Sequence, residues 1–196
     1  LMAKGCICYC ETGDAGDMEF MEKFIQNTID HLGSDIDLLI NNAGISYVGL
    51  INDMTAQDFD RTMKSNVYSV FNSCRLVVPH MIQHHKGHII NISSVWGNVG
   101  ASCEVAYSAS KGAVNSFSKA LGKELAPSGI TVNAIAFGAI DTSMNGHLLI
   151  QHRADIGRQV FQIPLVDQAI DLTRFFIRRI VCIHMVNDSN EPNAPL

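Results

Sequence analysis

Apolar positions along this chain follow two alternating patterns. Compact runs such as Ile36, Leu38, Leu39 and Ile40, Ile89, Ile90 and Ile92, and the stretch 130–136 read as strands covered on both faces. Between them, apolar residues recur at helical spacing. Met18, Met21, Phe24, Ile25, Ile29 and Leu32 mark a helix region over 14–32 that Gly33-Ser34-Asp35 ends. Phe59, Met63, Val67, Val70, Phe71, Cys74 and Val78 form one expected buried stripe after Thr55-Ala56-Gln57-Asp58, which reads as an N-cap with only a partial capping box, since Asp stands in the fourth position. Ala106, Ala113, Val114, Phe117, Ala120, Leu121 and Leu125 mark a third helix, stopped by Pro127-Ser128-Gly129. A further strand is expected at 6–13. This alternation predicts an α/β fold, a doubly wound parallel sheet covered on both faces with its site at the strand carboxyl ends.

At 196 residues, 47% hydrophobic and 17% charged, the chain suits one domain with a substantial core rather than disorder. A net charge of −5 offers no basic footprint for nucleic acid, and no apolar run is long enough to suggest a membrane span. The expectation is a cytoplasmic protein. The six cysteines are not spaced as a disulfide framework or a zinc site, and Cys6, Cys8 and Cys10 would share one face of a strand. His80 and His84 lie one helical turn apart, with no Cys or carboxylate beside them to complete a metal site. No metal is expected.

The chemistry concentrates between Ser93 and Lys111. Tyr107 and Lys111 are four apart, so a helix there puts both on one face, displaced by about 6 Å along the axis. An ammonium at that range should draw a phenol's pKa down from its ordinary value of about 10, towards what a general acid or base needs. Ser94, at the end of the apolar run 88–93, offers a hydroxyl that could hold a carbonyl oxygen beside the phenol. Read alone, Tyr107 and Lys111 are as readily a helix-start cap and a solvated cation. Asn66, in mid-helix, reads on propensity as a surface or kink residue.

The order of Asn41-Asn42-Ala43-Gly44 after one strand, Asn66 in the next helix, Ser94 at a strand end, Tyr107-Ser108-Ala109-Ser110-Lys111 and Val132-Asn133-Ala134-Ile135-Ala136-Phe137-Gly138 resembles the short-chain dehydrogenase/reductase family over about residues 14–146. The likeness is to its bacterial 3-oxoacyl-[acyl-carrier-protein] reductase-like branch. It implies a Rossmann-like fold, NADP(H) or NAD(H) as cofactor, a small-molecule or carrier-bound carbonyl substrate, and a homo-oligomer. It also implies a catalytic set of Asn66, Ser94, Tyr107 and Lys111, with Asn66 holding a water behind the lysine. Cofactor contacts would fall on Asn42, Ala43, Gly44, Tyr107, Lys111, Gly138, Ile140 and Thr142. Asp14 would lie against the adenine, with Glu11 as runner-up. Ser94-Val95-Trp96-Gly97 and the stretch Gly100 to Tyr107 look closer to reductases acting on 5-aminopentanone-modified elongation factor P, with Trp96 and Glu104 flanking the substrate mouth.

The chain departs from the family pattern at three places. The family's glycine-rich turn would precede the strand at 6–13, which implies a fold incomplete at its N-terminus. Phe137 stands where the family usually has Pro. After Met144-Asn145-Gly146 only Ile163-Pro164-Leu165 keeps the pattern, so 1–165 reads as the truncated Rossmann-like domain and 166–196 as a divergent tail. A reading-frame shift after 146 or 165 would account for that tail and would show in the encoding DNA; Asn187–Leu196 is then expected to be loose. A second reading of the chain is a non-catalytic remnant that keeps the four residues without holding cofactor.

Overall fold

The computed structural model describes residues 9–33, 36–138, 160–162 and 180–183. Helix α1 spans Met18–Leu32, beginning where the Asp17 carboxylate caps the Phe20 N–H and ending at Gly33, whose φ of 64° lets its N–H return to the Ile29 carbonyl. Strand β1 (Leu38–Asn41) follows. Helix α2 (Ala56–Met63) opens on Thr55, and here the expectation is corrected: Thr55 Oγ1 accepts from Asp58 N while Asp58 accepts from Thr55 N, a complete reciprocal box built with the shorter acid. A π-turn over Lys64–Tyr68 joins α2 to α3 (Ser69–Gln83). Then come β2 (Gly87–Ser94), the single turn α4 (Trp96–Val99), α5 (Val105–Leu125), a 3₁₀ turn at Ala126–Ser128 and β3 (Ile130–Phe137). Strands β4 (Val160–Gln162) and β5 (Ile180–Ile183) complete the sheet.

The sheet runs β4-β3-β2-β1-β5. β1, β2, β3 and β5 are parallel, as the alternation of elements requires, whereas β4 pairs antiparallel with β3. One expectation needs correction. The described part of the stretch 6–13, from Tyr9 onward, is irregular rather than a strand. The sheet position beside β1 is taken instead by β5, from the segment read as a divergent tail, where the branched run Ile180, Val181 and Ile183 suits a strand. Ile140, Thr142 and Asn187–Leu196 lie outside the described residues, and the bounds 1–165 and 166–196 meet there too. No described helix is long and apolar enough to cross a membrane.

Met21, Ile25, Leu39, Val77, Met81, Ile89, Val114 and Val132 fill one core between the sheet and the helices packed on it. A buried polar ladder crosses it. Ser73 Oγ on α3 donates to Asn41 Oδ1 (2.7 Å), Asn41 Nδ2 to Asn91 Oδ1 (2.8 Å), and Asn91 Nδ2 to Ser118 Oγ on α5 (2.8 Å). The stripe expected after residue 55 divides: Val70 and Cys74 are buried, but Phe59 and Phe71 are exposed at 38% and 42%. Ala120, expected on the inner face of α5, is also exposed.

Glycine matters most where α4 crosses α5. A Cβ on Gly97 would stand 2.6 Å from the Lys111 carbonyl carbon and 2.8 Å from Gly112 N. Backbone must then move, so Gly97→Ala is expected to destabilise the fold by about 1–3 kcal/mol. Thermal unfolding should show a fall of about 2–4 °C for each kcal/mol, and an unchanged midpoint would refute the contact.

Candidate active site

The carboxyl ends of β1 and β2 open onto one region, and each candidate side chain arrives there for a local reason. β2 ends in Ser93 and Ser94, both buried. Ser93 Oγ donates to the Lys111 carbonyl (3.2 Å), tying the strand end to α5, while Ser94 Oγ accepts from Trp96 N (3.2 Å) as the chain turns into α4. From α5, Tyr107 and Lys111 project on one face as their spacing predicts, with Lys111 Nζ 5.6 Å from the centre of the Tyr107 ring. The Ser94 hydroxyl stands near enough to the phenol to favour its ionised form.

Asn66 is brought in by the π-turn. Ser69 N–H reaches back to the Lys64 carbonyl, so one extra residue is accommodated, and Ser65 and Asn66 turn inward while Lys64 stays outside. The Asn66 amide reads the backbone of a single residue. Its Oδ1 accepts from Ile45 N (2.8 Å) and its Nδ2 donates to Ile45 O (2.9 Å); the other Nδ2 proton goes to Ser110 Oγ (2.9 Å). Ser110 Oγ in turn donates to the Tyr107 carbonyl (2.7 Å). Both side-chain N–H groups are thus committed within the protein, so the water expected behind the lysine has no donor from this amide. Asn66 is 1% exposed, which also disposes of the surface reading.

The electrostatics reverse one expectation. Burial pushes the Tyr107 phenol above its ordinary pKa; the Ser94 hydroxyl works against that rise and the Glu104 carboxylate adds to it. The predicted depression by Lys111 is not seen, because the lysine is itself desolvated. Its burial draws it from 10.5 to about 8, and its Nζ donates to the Ile92 carbonyl (2.8 Å). A neutral phenol and a half-neutral amine at mildly alkaline pH are an effective proton store.

Asn42, Ala43 and Gly44 follow β1 as expected, with Ala43 buried. A Cβ on Gly44 would stand 3.2 Å from Asn66 Oδ1 and 3.4 Å from Lys111 Nζ, so the backbone here lies open only because the residue is glycine. Gly138 directly follows β3, near Phe137, whose carbonyl accepts from Val95 N (2.9 Å). Asp14 lies apart from these groups, at the turn before α1. Its Oδ1 accepts from Gly16 N (2.8 Å) and its Oδ2 pairs with Lys64 Nζ (2.8 Å). Partial burial works to raise its pKa, but the bonds from Lys64 and Gly16 outweigh it and the carboxyl sits lower than usual. Glu11 accepts from Asn27 Nδ2 (2.9 Å) on α1 and from the Tyr9 hydroxyl. Sequence reasoning missed Ser110 and Ser46. Ser46 Oγ donates to Glu104 Oε1 (2.7 Å), a pairing that no spacing signals.

Comparison with known proteins bears on the family and the fold. Residues 3–152 match the family described as short chain dehydrogenase. The uncharacterized oxidoreductase YmfI of Bacillus subtilis is 43% identical over 125 residues, covering 64% of this chain and 52% of that protein. The 3-oxoacyl-[acyl-carrier-protein] reductase FabG of Staphylococcus aureus is 34% identical over 165 residues, 84% of this chain and 65% of the relative. A crystal structure of a gluconate 5-dehydrogenase from Burkholderia cenocepacia, in complex with NADP and tartrate, superposes with a TM-score of 0.68 at 30% identity, covering 72% of this chain and 55% of that one. The chain therefore spans about half to two thirds of the length of the proteins it matches.

The buried lysine makes stability pH-dependent in a definite sense. Below about pH 8 its amine is charged in the folded and unfolded chain alike, and burial of that charge is unfavourable. From about 8 to 10.5 only the unfolded chain keeps the proton, so this group's contribution to stability improves as pH rises. Lys111→Met should be more stable than the parent at pH 7 by about 1–3 kcal/mol, with the difference shrinking between pH 8 and 10.5. Urea unfolding at several pH values reads this directly; a variant less stable at every pH would contradict it.

Proposed function

The chain belongs to the short-chain dehydrogenase family, and from that footing we propose that it is an NADP(H)-dependent oxidoreductase that reduces a carbonyl to a secondary alcohol, on substrates of the 3-oxoacyl type held on a carrier. One observation carries the reading: the Tyr107 phenol, the Ser94 hydroxyl and the Lys111 amine converge at the carboxyl end of β2, beside the open backbone of Gly44.

The residues present suit the nicotinamide end of the cofactor. Gly44 leaves room against Asn66 and Lys111 that a Cβ would fill, and Lys111 offers a donor for ribose hydroxyls. When bound, a reduced nicotinamide supplies the hydride. The chain's own residues do the rest. The Ser94 hydroxyl donates to the carbonyl oxygen and polarises it, and Tyr107 passes its proton to that oxygen as charge develops there. Lys111 holds the ribose and reprotonates the phenol between turnovers, while Asn66 fixes the loop at Ile45 against α5 through Ser110. NADP(H) over NAD(H) rests on the reductase branch and on the NADP-bound structural neighbour. Asp14, already engaged with Lys64, is the adenine-side candidate, and Gly138, Ile140 and Thr142 are the candidates on the amide side.

A carboxylate at the mouth favours a second reading within the same chemistry. Glu104 is 9% exposed beside Tyr107, and a substrate bearing a cation near its carbonyl, such as aminopentanone-modified elongation factor P, would meet a negative charge there. Phe71 and Tyr68, exposed at 42% and 57% on adjoining turns, support a homo-oligomeric contact on the α2–α3 face. Its setting is cytoplasmic in this reading.

Titration of NADPH fluorescence against the chain should saturate. Tyr107→Phe should leave that binding within a few fold while lowering kcat/KM for a 3-oxoacyl thioester by about 10²–10⁴. Absence of saturable binding would leave only the non-catalytic remnant.

A further inference from the structure

Glu104 stands at the N-cap of α5, yet its side chain does not cap the helix. A carboxylate in this place ordinarily accepts from the N–H groups of the first turn. Here it reaches away to the loop that follows β1, where Ser46 Oγ donates to its Oε1 at 2.7 Å. A second tie lies beside it, from Gly49 N to the Cys103 carbonyl (2.8 Å). Ser46 adjoins Ile45, whose backbone is clamped from the other side by Asn66. The residue is 9% exposed, and among the described residues no cation pairs with it. A carboxylate buried to this degree without a counter-charge is costly, so its retention points to a task.

We propose that Glu104 is a positioning residue with two separable effects: its carboxylate latches the Ser46 loop to the start of α5, and its charge is, among the described residues, the one anion set against the Tyr107 proton donor. The proposal deepens the reductase reading and rests on it for its kinetic consequence alone. Glu104 is the N-cap of α5 and Tyr107 the third residue of the helix, so the two stand within its first turn. Among the described residues, the charged groups that face the phenol are Glu104, at the N-cap of α5, and Lys111 within that helix; β2 brings the neutral Ser94, and the neutral Ser46 of the β1 loop meets Glu104. A negative charge there opposes loss of the phenolic proton, as burial already does, and so keeps the donor loaded.

Two substitutions separate the effects. Glu104→Gln keeps volume and an oxygen that Ser46 can reach but removes the charge; Ser46→Ala removes the latch but keeps the charge. Tyrosinate absorbance is titrated on the full chain, and the Tyr107 contribution is taken as the difference from the same chain carrying Tyr107→Phe, a readout that needs neither cofactor nor turnover. Glu104→Gln is expected to lower the Tyr107 midpoint by about half a pH unit or more and to shift the alkaline limb of the reductase pH profile by the same amount. Ser46→Ala should leave the midpoint in place while amide exchange across 45–50 speeds up by about tenfold, as expected when a local opening is favoured. Glu104→Asp, which keeps the charge on a shorter stem, should hold the midpoint and loosen the loop; it serves the test if Glu104→Gln does not fold. An unmoved midpoint in Glu104→Gln, a fallen one in Glu104→Asp, or an equal fall in Ser46→Ala would overturn the proposal. A shifted midpoint with no reductase activity in the parent would sink the function and leave the electrostatic role standing.

Discussion

The site depends on one side-chain amide. Asn66 pairs with the N–H and the C=O of Ile45 at once, and its remaining proton goes to Ser110. Remove it and two part-buried backbone groups lose their partner in the loop after β1, each at a cost of up to about 1–3 kcal/mol. The loop of Ala43 and Gly44, which must stay close to Lys111 without filling the space beside it, would then have no fixed height over the sheet. That amide faces inward because of the π-turn, whose extra residue redirects Ser65 and Asn66 while Lys64 remains outside to pair with Asp14.

The same anchoring recurs in the core beneath α3 and α5. Asn41 and Asn91, neighbours on β1 and β2, carry hydrogen bonds from Ser73 on α3 to Ser118 on α5. Apolar packing alone would tolerate a sliding helix, since Leu, Ile and Val contacts are not directional. A ladder of amides in a dry interior does not, because every misplaced rung leaves a polar group unpaired. The helix that bears Tyr107 and Lys111 is thereby referenced to the helix that follows Asn66, and the Ser93 contact to the Lys111 carbonyl adds a third fixed point. Such a frame can hold a desolvated amine in place despite the cost of burying it.

Much of this was legible in the chain and some was not, for identifiable reasons. Tyr107, Lys111 and Ser94 were readable together because helical spacing and an apolar strand run fix where each side chain emerges. The reading of Phe59 and Phe71 as buried failed because the inward face on both sides of the π-turn is taken by Thr62, Ser65, Asn66, Ser69 and Ser73, polar residues that an apolar stripe does not mark. Asn66, which propensity alone places outside, is part of that face. Strand β5 escaped notice because the stretch around it carries no family pattern, although Ile180, Val181 and Ile183 have the branched character of a strand. Ser46 and Glu104 lie 58 positions apart, and nothing in a linear pattern joins them.

The reversal of the phenol's acidity bears on which way the chemistry runs. Helical spacing suggests a cation that makes Tyr107 easier to ionise, but spacing says nothing about how much water each group loses. Burial outweighs proximity for both: it raises the phenol and lowers the amine, so each favours its uncharged form. A donor must hold its proton before a carbonyl is reduced, whereas oxidation of an alcohol needs the phenolate first. Near neutral pH the site rests with the phenol loaded, and Lys111, drawn to about 8, is acidic enough to return a proton without trapping it. Under the reductase reading, this desolvation makes reduction the direction for which the resting protein is already prepared, and an oxidation would have to begin by ionising a group that its surroundings hold neutral.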